Sequence, residues 1–116
     1  MVFGRRHDRL ADQIRGEVAE ILEAELKDPR IGFVTVTRVD LSPDLAHVRV
    51  LFSVLGDEKA REQTLAGLSS AAGFVRHEIT QRLRLRRAPD IAFVFDRGAE
   101  EAARIDALLG QIRARS

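Results

Sequence analysis

Arginine is the residue type in this chain whose number and spacing indicate a chemical role, namely the binding of anions. Of the 19 basic residues, 17 are arginine and two are lysine. The arginines are concentrated in residues 5–9, which hold three of them and one aspartate, and in residues 76–87, which hold five and one glutamate. Guanidinium groups make planar, bidentate contacts to phosphate and carboxylate, so both segments are candidate anion-binding sites. A GC-rich genome would also enrich the chain in arginine.

The second segment predicts a row of basic side chains. If residues 82–86 are extended, alternate side chains point the same way, so the leucines point inward and the arginines outward together. Such a row can follow a phosphate backbone. A solvated charged surface is the alternative, although five arginines beside one acid repel each other without an anionic partner. The candidate binding residues are, first, Arg76, Arg82, Arg84, Arg86 and Arg87 and, second, Arg5, Arg6 and Arg9.

The aromatic content bears on how a nucleic acid would be recognised. The chain has six phenylalanines and neither tryptophan nor tyrosine. Most of the phenylalanines fall in predicted strands or on apolar helix stripes, where we expect them in the core. Because base stacking needs exposed aromatic rings, the sequence favours recognition of backbone and shape by arginine.

Nothing in the sequence favours catalysis or a bound metal. There is no cysteine, and His7, His47 and His77 fall in three different predicted elements, with no spacing that would pair two of them as metal ligands. Gly67 and Gly73 are isolated and do not form a phosphate-binding loop. We therefore expect a protein that is not an enzyme and that has no catalytic residue, no cofactor and no metal site.

Length and hydropathy indicate one domain. The chain has 116 residues, of which 45% are apolar, enough for one modest core. We expect a single domain over residues 1–116 with short flexible tails near 1–6 and 113–116. No apolar run approaches the roughly 18 residues that cross a bilayer, and the start of the chain lacks a signal-peptide pattern. These features predict a soluble, cytoplasmic protein without a membrane partner.

Apolar periodicity predicts an α+β fold with seven elements. A helix over 8–27, started by Asp8, precedes a hairpin whose second strand alternates cleanly between inward and outward residues. The first strand alternates poorly, so the sequence does not show which of its two faces is buried. The long helical segment that follows contains serines and a glycine, and it forms either two helices or one bent helix hinged near 71–73. The two strands of the hairpin are predicted over 33–41 and 45–54, and the long helical segment over 58–83. A third strand over 91–95 and a last helix over 99–113 complete the prediction.

Two features of this order concern packing. Each helix has one apolar stripe, so we expect the helices to pack on one face of a three-stranded sheet. About 35 residues separate the second strand from the third, which allows a parallel return. The last helix carries its stripe at Ile105, Leu108, Leu109 and Ile112. That stripe either closes the core or docks a protein partner.

Several motifs occur together in an order that is specific. They resemble the family of bacterial ribosome-binding factor A across roughly residues 5–112. Each motif is weak alone, but their joint order and spacing are strong. The motifs are Arg6–Ala11, Asp28-Pro29-Arg30-Ile31-Gly32, Leu41–Ala46, Ala71–Arg76, Leu83–Pro89 and Ile91–Asp96.

The resemblance implies a type II KH-like fold, with a mixed three-stranded sheet covered by helices in the order α-β-β-α-α(kinked)-β-α. Ordinary KH domains clamp single strands with a Gly-x-x-Gly loop. This chain has the family's Ala-x-Gly kink instead, so the resemblance gives Ala71 and Gly73 a structural role. The departure shifts the expected RNA contacts to the basic surface.

The resemblance also implies a role in ribosome assembly. Such a protein binds the immature 30S subunit, contacts the 5′ region of 16S rRNA, and supports late maturation and 5′-end processing, especially in the cold. Other assembly factors, such as a maturation GTPase, are implied partners, and we expect a monomer. The alternative is a protein–protein adaptor that uses its C-terminal amphipathic helix.

Overall fold

The computed structural model describes residues 2–24 and 28–115. The predicted α+β, type II KH-like fold class is confirmed, in the order α-β-β-α-β-α. The elements are α1 (Val2–Ala24), β1 (Val34–Leu41), β2 (His47–Val54), α2 (Glu58–Arg82), β3 (Asp90–Phe95) and α3 (Arg97–Arg115).

The three strands form one mixed sheet in the order β1-β2-β3. β1 and β2 are antiparallel neighbours joined by a short turn, whereas β2 and β3 are parallel. The parallel return requires a long crossover, which α2 provides. The second strand alternates as predicted at its start, since Val48 and Val50 are buried and Arg49 between them is exposed. Phe52 is buried on the same face, but Leu51 on the opposite face is only 6% exposed, so the alternation in burial is interrupted there.

A β-bulge explains why the first strand alternates poorly. The pairing of β1 with β2 shifts by one residue between Val36 and Arg38, so Thr37 is the extra residue. Its hydroxyl donates to the Asp96 carboxylate (2.5 Å), and the hydroxyl oxygen lies 3.3 Å from the Leu51 carbonyl oxygen. One inserted residue moves every later side chain to the other face of the strand. The core face of β1 consequently carries Val34 and Val36 before the bulge and Val39 and Leu41 after it.

Helices α1 and α2 pack on the sheet and on each other, and together they enclose the core. Of the two arrangements left open for the segment around 71–73, the structure has one continuous helix and not two. Asp57 begins that helix, because its carboxylate accepts the N–H of Ala60 (2.9 Å). Buried side chains from both layers meet in the core, which comprises Ile14, Val18, Ile21, Val39, Leu41, Val48, Val50, Phe52, Leu68, Val75, Ile79 and Phe93.

The terminal helices differ from the prediction. α1 begins at Val2 and not at Asp8, so Asp8 is not its cap, and residues 25–27 of the predicted helix lie outside the described residues. α3 reaches Arg115, so the residues expected as short tails are helical wherever the structure describes them. None of the helices in residues 2–24 and 28–115 is long and apolar enough to cross a membrane.

The apolar stripe of α3 does not close the core. Ile105, Leu108, Leu109 and Ile112 are 46–62% exposed, against the expectation that each helix buries its stripe. The radius of gyration is 16.2 Å, compared with roughly 13 Å for a compact chain of this length. The last helix thus adds an exposed apolar surface to an elongated molecule.

Candidate nucleic-acid interface

The C-terminal end of α2 is closed by a turn that gives Arg84 a left-handed backbone. The N–H of Arg84 donates to the carbonyl oxygen of Gln81 (3.2 Å), and the N–H of Leu85 donates to that of Thr80 (3.0 Å). This pair of bonds is the Schellman motif, in which the residue after the cap takes a positive φ and is most often glycine. Here that residue is Arg84, with φ 52°.

The predicted row of basic side chains does not form, because residues 82–86 are not extended. Arg82 ends the helix and turns its guanidinium towards α1. Its Nη1 lies 3.2 Å from Oε2 of Glu17 and 3.8 Å from Oε1 of Glu20, and its Nη2 lies 3.6 Å from Oε1 of Glu78. The five clustered arginines therefore repel one another less than the local sequence suggests, since two of these carboxylates come from a distant helix.

Arg76 is also engaged within the protein. Its Nη2 donates to the carbonyl oxygen of Ala88 (3.0 Å) and lies 3.6 Å from Oδ1 of Asp90. These contacts join α2 to the loop that leads into β3. Arg76 stays exposed and can still present N–H groups outward.

The remaining three arginines of the cluster are different. Arg84, Arg86 and Arg87 are exposed, and their side chains form no hydrogen bond or ion pair with the described part of the chain. Three uncompensated cations within four residues favour an anionic partner, because their mutual repulsion falls when an anion lies between them.

These arginines stand at the rim of a groove of about 470 Å³. We call it the basic groove; α1, the β1–β2 turn, the end of α2 and residues 83–89 form its walls. Its apolar lining consists of Leu10, Ile14, Leu41, Leu45, Ala46, Leu85, Ala88 and Pro89. Its basic rim consists of Arg76, Arg84, Arg86 and Arg87.

The β1–β2 turn contributes an unusual residue to the basic groove. Leu45 has φ 63° and is 44% exposed, although it is apolar. The carboxylate of Asp44 holds the turn by accepting the hydroxyl of Ser42 (2.7 Å) and the N–H of Ala46 (3.1 Å). These bonds keep the pKa of Asp44 below its usual range, the Ser42 hydroxyl contributing most. The lowered pKa keeps Asp44 ionised, so its negative charge lies among the residues that line the groove.

The N-terminal arginines are arranged along α1. Arg6 precedes Leu10 by one helical turn, so it lies beside the basic groove. Arg9 is exposed and about 100° around the helix from Leu10. The side chain of Arg5 lies outside the described part of the structure. Arg6 and Arg9 are three residues apart and so are neighbours on α1, and neither is among the residues that line the basic groove.

The three histidines are not brought together. His7 is half-buried, and its Nε2 donates to the carbonyl oxygen of Leu41 (2.6 Å), which fixes the start of α1 to β1. His47 lies at the start of β2, with Nδ1 3.8 Å from Oδ2 of Asp90, and His77 is exposed on α2. In the described residues there is no group of three side chains able to hold a metal ion.

Of the five phenylalanines whose burial the structure describes, Phe52, Phe93 and Phe95 belong to the core or pack against it, as expected for most of them, and two are exposed. Phe52 and Phe93 are buried, but Phe33 is 85% exposed and Phe74 is 43% exposed. Phe33 lies beside the exposed Leu55, whose N–H donates to its carbonyl oxygen (3.4 Å), at the opposite end of the β1–β2 pair from the groove. Exposed aromatic rings of the kind that base stacking needs are therefore present on this protein.

The kink residues occupy the middle of a continuous helix. Ala71 is half-buried and Gly73 is exposed. A Cβ added at Gly73 would meet nothing within 4 Å, so no packing contact requires glycine there. Gly67 in the same helix is different, since its Cβ would lie 2.7 Å from Cγ1 of Ile31.

The fold and this site define a small α+β protein with one mixed sheet and an arginine-rimmed groove beside it. The sequence matches the family model for ribosome-binding factor A over residues 6–109. This chain belongs to the ribosome-binding factor A family.

Solved structures agree with that assignment. A Thermotoga maritima protein named as a putative ribosome-binding factor A superposes with a TM-score of 0.73 at 40% identity, covering 80% of this chain and 89% of that one. The crystal structure of ribosome-binding factor A from Thermus thermophilus gives 0.69 at 31% identity, covering 77% and 93%. A homology model of Thermus thermophilus ribosome-binding factor A, fitted into the cryo-EM map of a 30S complex of that factor, gives 0.65 at 32% identity, covering 77% and 93%.

Proposed function

We propose that this protein binds the immature 30S ribosomal subunit through the basic groove and supports late maturation of 16S rRNA in the cytoplasm. The observation that carries the proposal is the set of three uncompensated arginines, Arg84, Arg86 and Arg87, at the rim of one groove. Support also comes from a family relative that has been fitted into a 30S complex. The site we propose on the rRNA is its 5′ region.

The mechanism needs no bond to be made or broken. Guanidinium groups hold phosphates of one rRNA arrangement better than those of another, and this difference shifts the population of the two arrangements. Misfolded RNA helices rearrange more slowly in the cold, so a protein that favours the productive arrangement matters most there. Faster 5′-end processing and release before subunit joining, with other assembly factors such as a GTPase, follow from the same proposal.

Co-sedimentation tests the proposal with a matched control. Arg84→Glu/Arg86→Glu should abolish comigration with free small subunits from cold-grown cells and leave the melting temperature unchanged. The control is Arg38→Glu/Arg49→Glu, because both side chains pair with Asp40 on the sheet, away from the groove. Wild-type comigration of the groove variant would refute the proposal.

A second function, as a protein–protein adaptor, is favoured by the exposed stripe of α3. Salt separates the two. If Arg84, Arg86 and Arg87 neutralise phosphates, log affinity falls against log salt with a slope of about −2 to −3 from these contacts alone. Binding through Leu108 and Ile112 would depend little on salt and would be lost in Leu108→Ser/Ile112→Ser.

A further inference from the structure

The basic groove combines an apolar surface with a cationic rim, and binding of a phosphate backbone alone would require only the rim. Its lining is apolar, with Leu10, Leu45 and Leu85 among the residues that the groove exposes to a ligand, and its rim is cationic. A nucleotide has the matching pair of groups, since its base presents flat apolar faces and its phosphate is an anion. A duplex offers only the anion, because its bases are stacked inside.

We propose that the basic groove takes up one unpaired nucleotide of RNA, with its base against Leu45 and Leu85 and its phosphate held by Arg84 and Arg86. This inference rests on the proposed function, because it assumes that RNA is the ligand. A volume of about 470 Å³ lies within the range of small-molecule sites, roughly 300–1,000 Å³, and so has room for one nucleotide. It adds selectivity for an RNA with an accessible base, because phosphate contacts do not read the base.

Two residues with an uncommon backbone conformation line the basic groove, and this supports its assignment as a ligand site. Leu45 and Arg84 are the two non-glycine residues with positive φ in residues 2–24 and 28–115, and both line this groove. They come from separate segments of the chain, and each is held by its own hydrogen bonds. Sparsely populated backbone conformations concentrate at ligand sites, where the surrounding structure fixes them.

The charges of the basic groove also favour a nucleotide over an acidic peptide. The two carboxylates that line it are already engaged, Asp44 with its own turn and Asp90 with Arg76 and His47. Four arginines and these two carboxylates line the basic groove, so its net charge is positive, and the contact surface beneath the charges is leucine. An acidic peptide would satisfy the arginines and leave that apolar surface uncovered.

The test uses fluorescently labelled RNA hairpins and the full chain. One hairpin carries a single bulged adenosine, a second carries an abasic bulge with the same backbone, and a third is fully paired. We expect the bulged adenosine to raise affinity roughly tenfold over the other two, the size expected for one buried apolar contact. Equal binding of all three hairpins would overturn the inference.

A variant separates the apolar contact from the charges. Asparagine tolerates a left-handed backbone, so Leu45→Asn removes the apolar side chain and keeps the turn. It should abolish the preference for the bulged adenosine, leave the paired hairpin within about twofold, and leave the melting temperature unchanged. A preference that survives this variant would refute the placement of the base against Leu45.

Small-subunit binding distinguishes the two proposals. If the hairpins bind equally while the protein still comigrates with small subunits, the nucleotide site is wrong and the proposed function stands. If comigration is also absent, the proposed function fails with it. Displacement of the bulged hairpin by an aspartate-rich peptide at lower concentration than by free adenosine monophosphate would assign the groove to a protein partner and overturn the inference.

Discussion

Nη1 of Arg82 lies 3.2 Å from Oε2 of Glu17, and this ion pair joins the end of α2 to the middle of α1. The side chain of Arg82 is 24% exposed, and that of Glu17 is 29% exposed. Arg82 therefore holds two helices together, whereas its neighbours at the rim of the basic groove are free to bind a ligand. Arginines that are close in the sequence therefore differ in role, one stabilising the fold and others lining the groove, and single mutations can distinguish the two roles.

The first prediction compares Arg82 with Arg86. Arg82→Ala should lower the free energy of unfolding by about 1–2 kcal/mol, because it leaves partly buried carboxylates without their cation. Arg86→Ala should change it by less than about 0.5 kcal/mol, as is usual for an exposed side chain. Urea denaturation of both variants measures the difference. Equal losses of stability would contradict the structural role of Arg82.

A second prediction concerns the left-handed backbone of Arg84. Arg84→Gly should raise the free energy of unfolding by about 1 kcal/mol relative to Arg84→Ala, because only glycine adopts φ 52° without steric cost. Both variants should lose the same part of the affinity for small subunits, since both lack the guanidinium. Thermal unfolding and co-sedimentation of the pair provide the measurements. If glycine proved less stable than alanine here, the Schellman turn would be wrongly placed.

The third prediction uses two glycines of α2 as a matched pair. Gly67→Ala should destabilise the protein by about 1–3 kcal/mol, since its Cβ would lie 2.7 Å from Cγ1 of Ile31 in the loop that packs there. Gly73→Ala should stabilise it by up to about 1 kcal/mol, because the site is open and alanine is the better helix former. Melting temperatures decide both signs.

Gly73→Ala also tests the kink that the family resemblance assigns to this position. A variant that is more stable but binds small subunits more weakly would show that glycine serves binding. Unchanged binding would leave Gly73 without a functional role.

The fourth prediction concerns pH. The Arg30 guanidinium and the backbone N–H of Arg30 hold the pKa of Asp28 at about 2, below its ordinary value of 3.8. A lowered folded-state pKa stabilises the protein above the ordinary value, and the contribution is lost as pH falls from about 4 to about 2. In Arg30→Ala the pKa of Asp28 should move up towards 3.8. Carboxyl chemical shifts followed through an acid titration measure it, and an unmoved pKa would contradict the assigned pair.

Much of the fold could be predicted because the apolar pattern is local. The positions of β2 and α2 follow from periodicity, and Val48, Val50 and Phe52 face the core as expected. The buried face of β1 could not be chosen from a two-residue period. Val34 and Val36 are two residues apart, as are Val39 and Leu41, but Val36 and Val39 are three apart. This single change of spacing is the mark that a bulge leaves in a sequence.

The site was harder to predict because its parts are far apart in the chain. Charge clustering found Arg84 and Arg86, but it could not show that Arg82 turns to carboxylates on α1. Leu45 was missed, since an exposed leucine in a turn carries no signal until its neighbours in space are known. The apolar stripe of α3 follows from the sequence, but its exposure does not, because exposure depends on how α3 packs against the rest of the molecule.

The walls of the basic groove come from three parts of the chain that are distant in sequence, namely α1, the β1–β2 turn and the stretch from the end of α2 through residues 83–89, and this has a thermodynamic consequence. A ligand that binds only the assembled groove also binds only the folded chain, so occupancy and folding are linked by mass action. At a ligand concentration of about one hundred times Kd, the linkage adds about 2.7 kcal/mol to the free energy of unfolding. The protein is accordingly more resistant to unfolding and proteolysis while bound, and its release returns it to its least protected form.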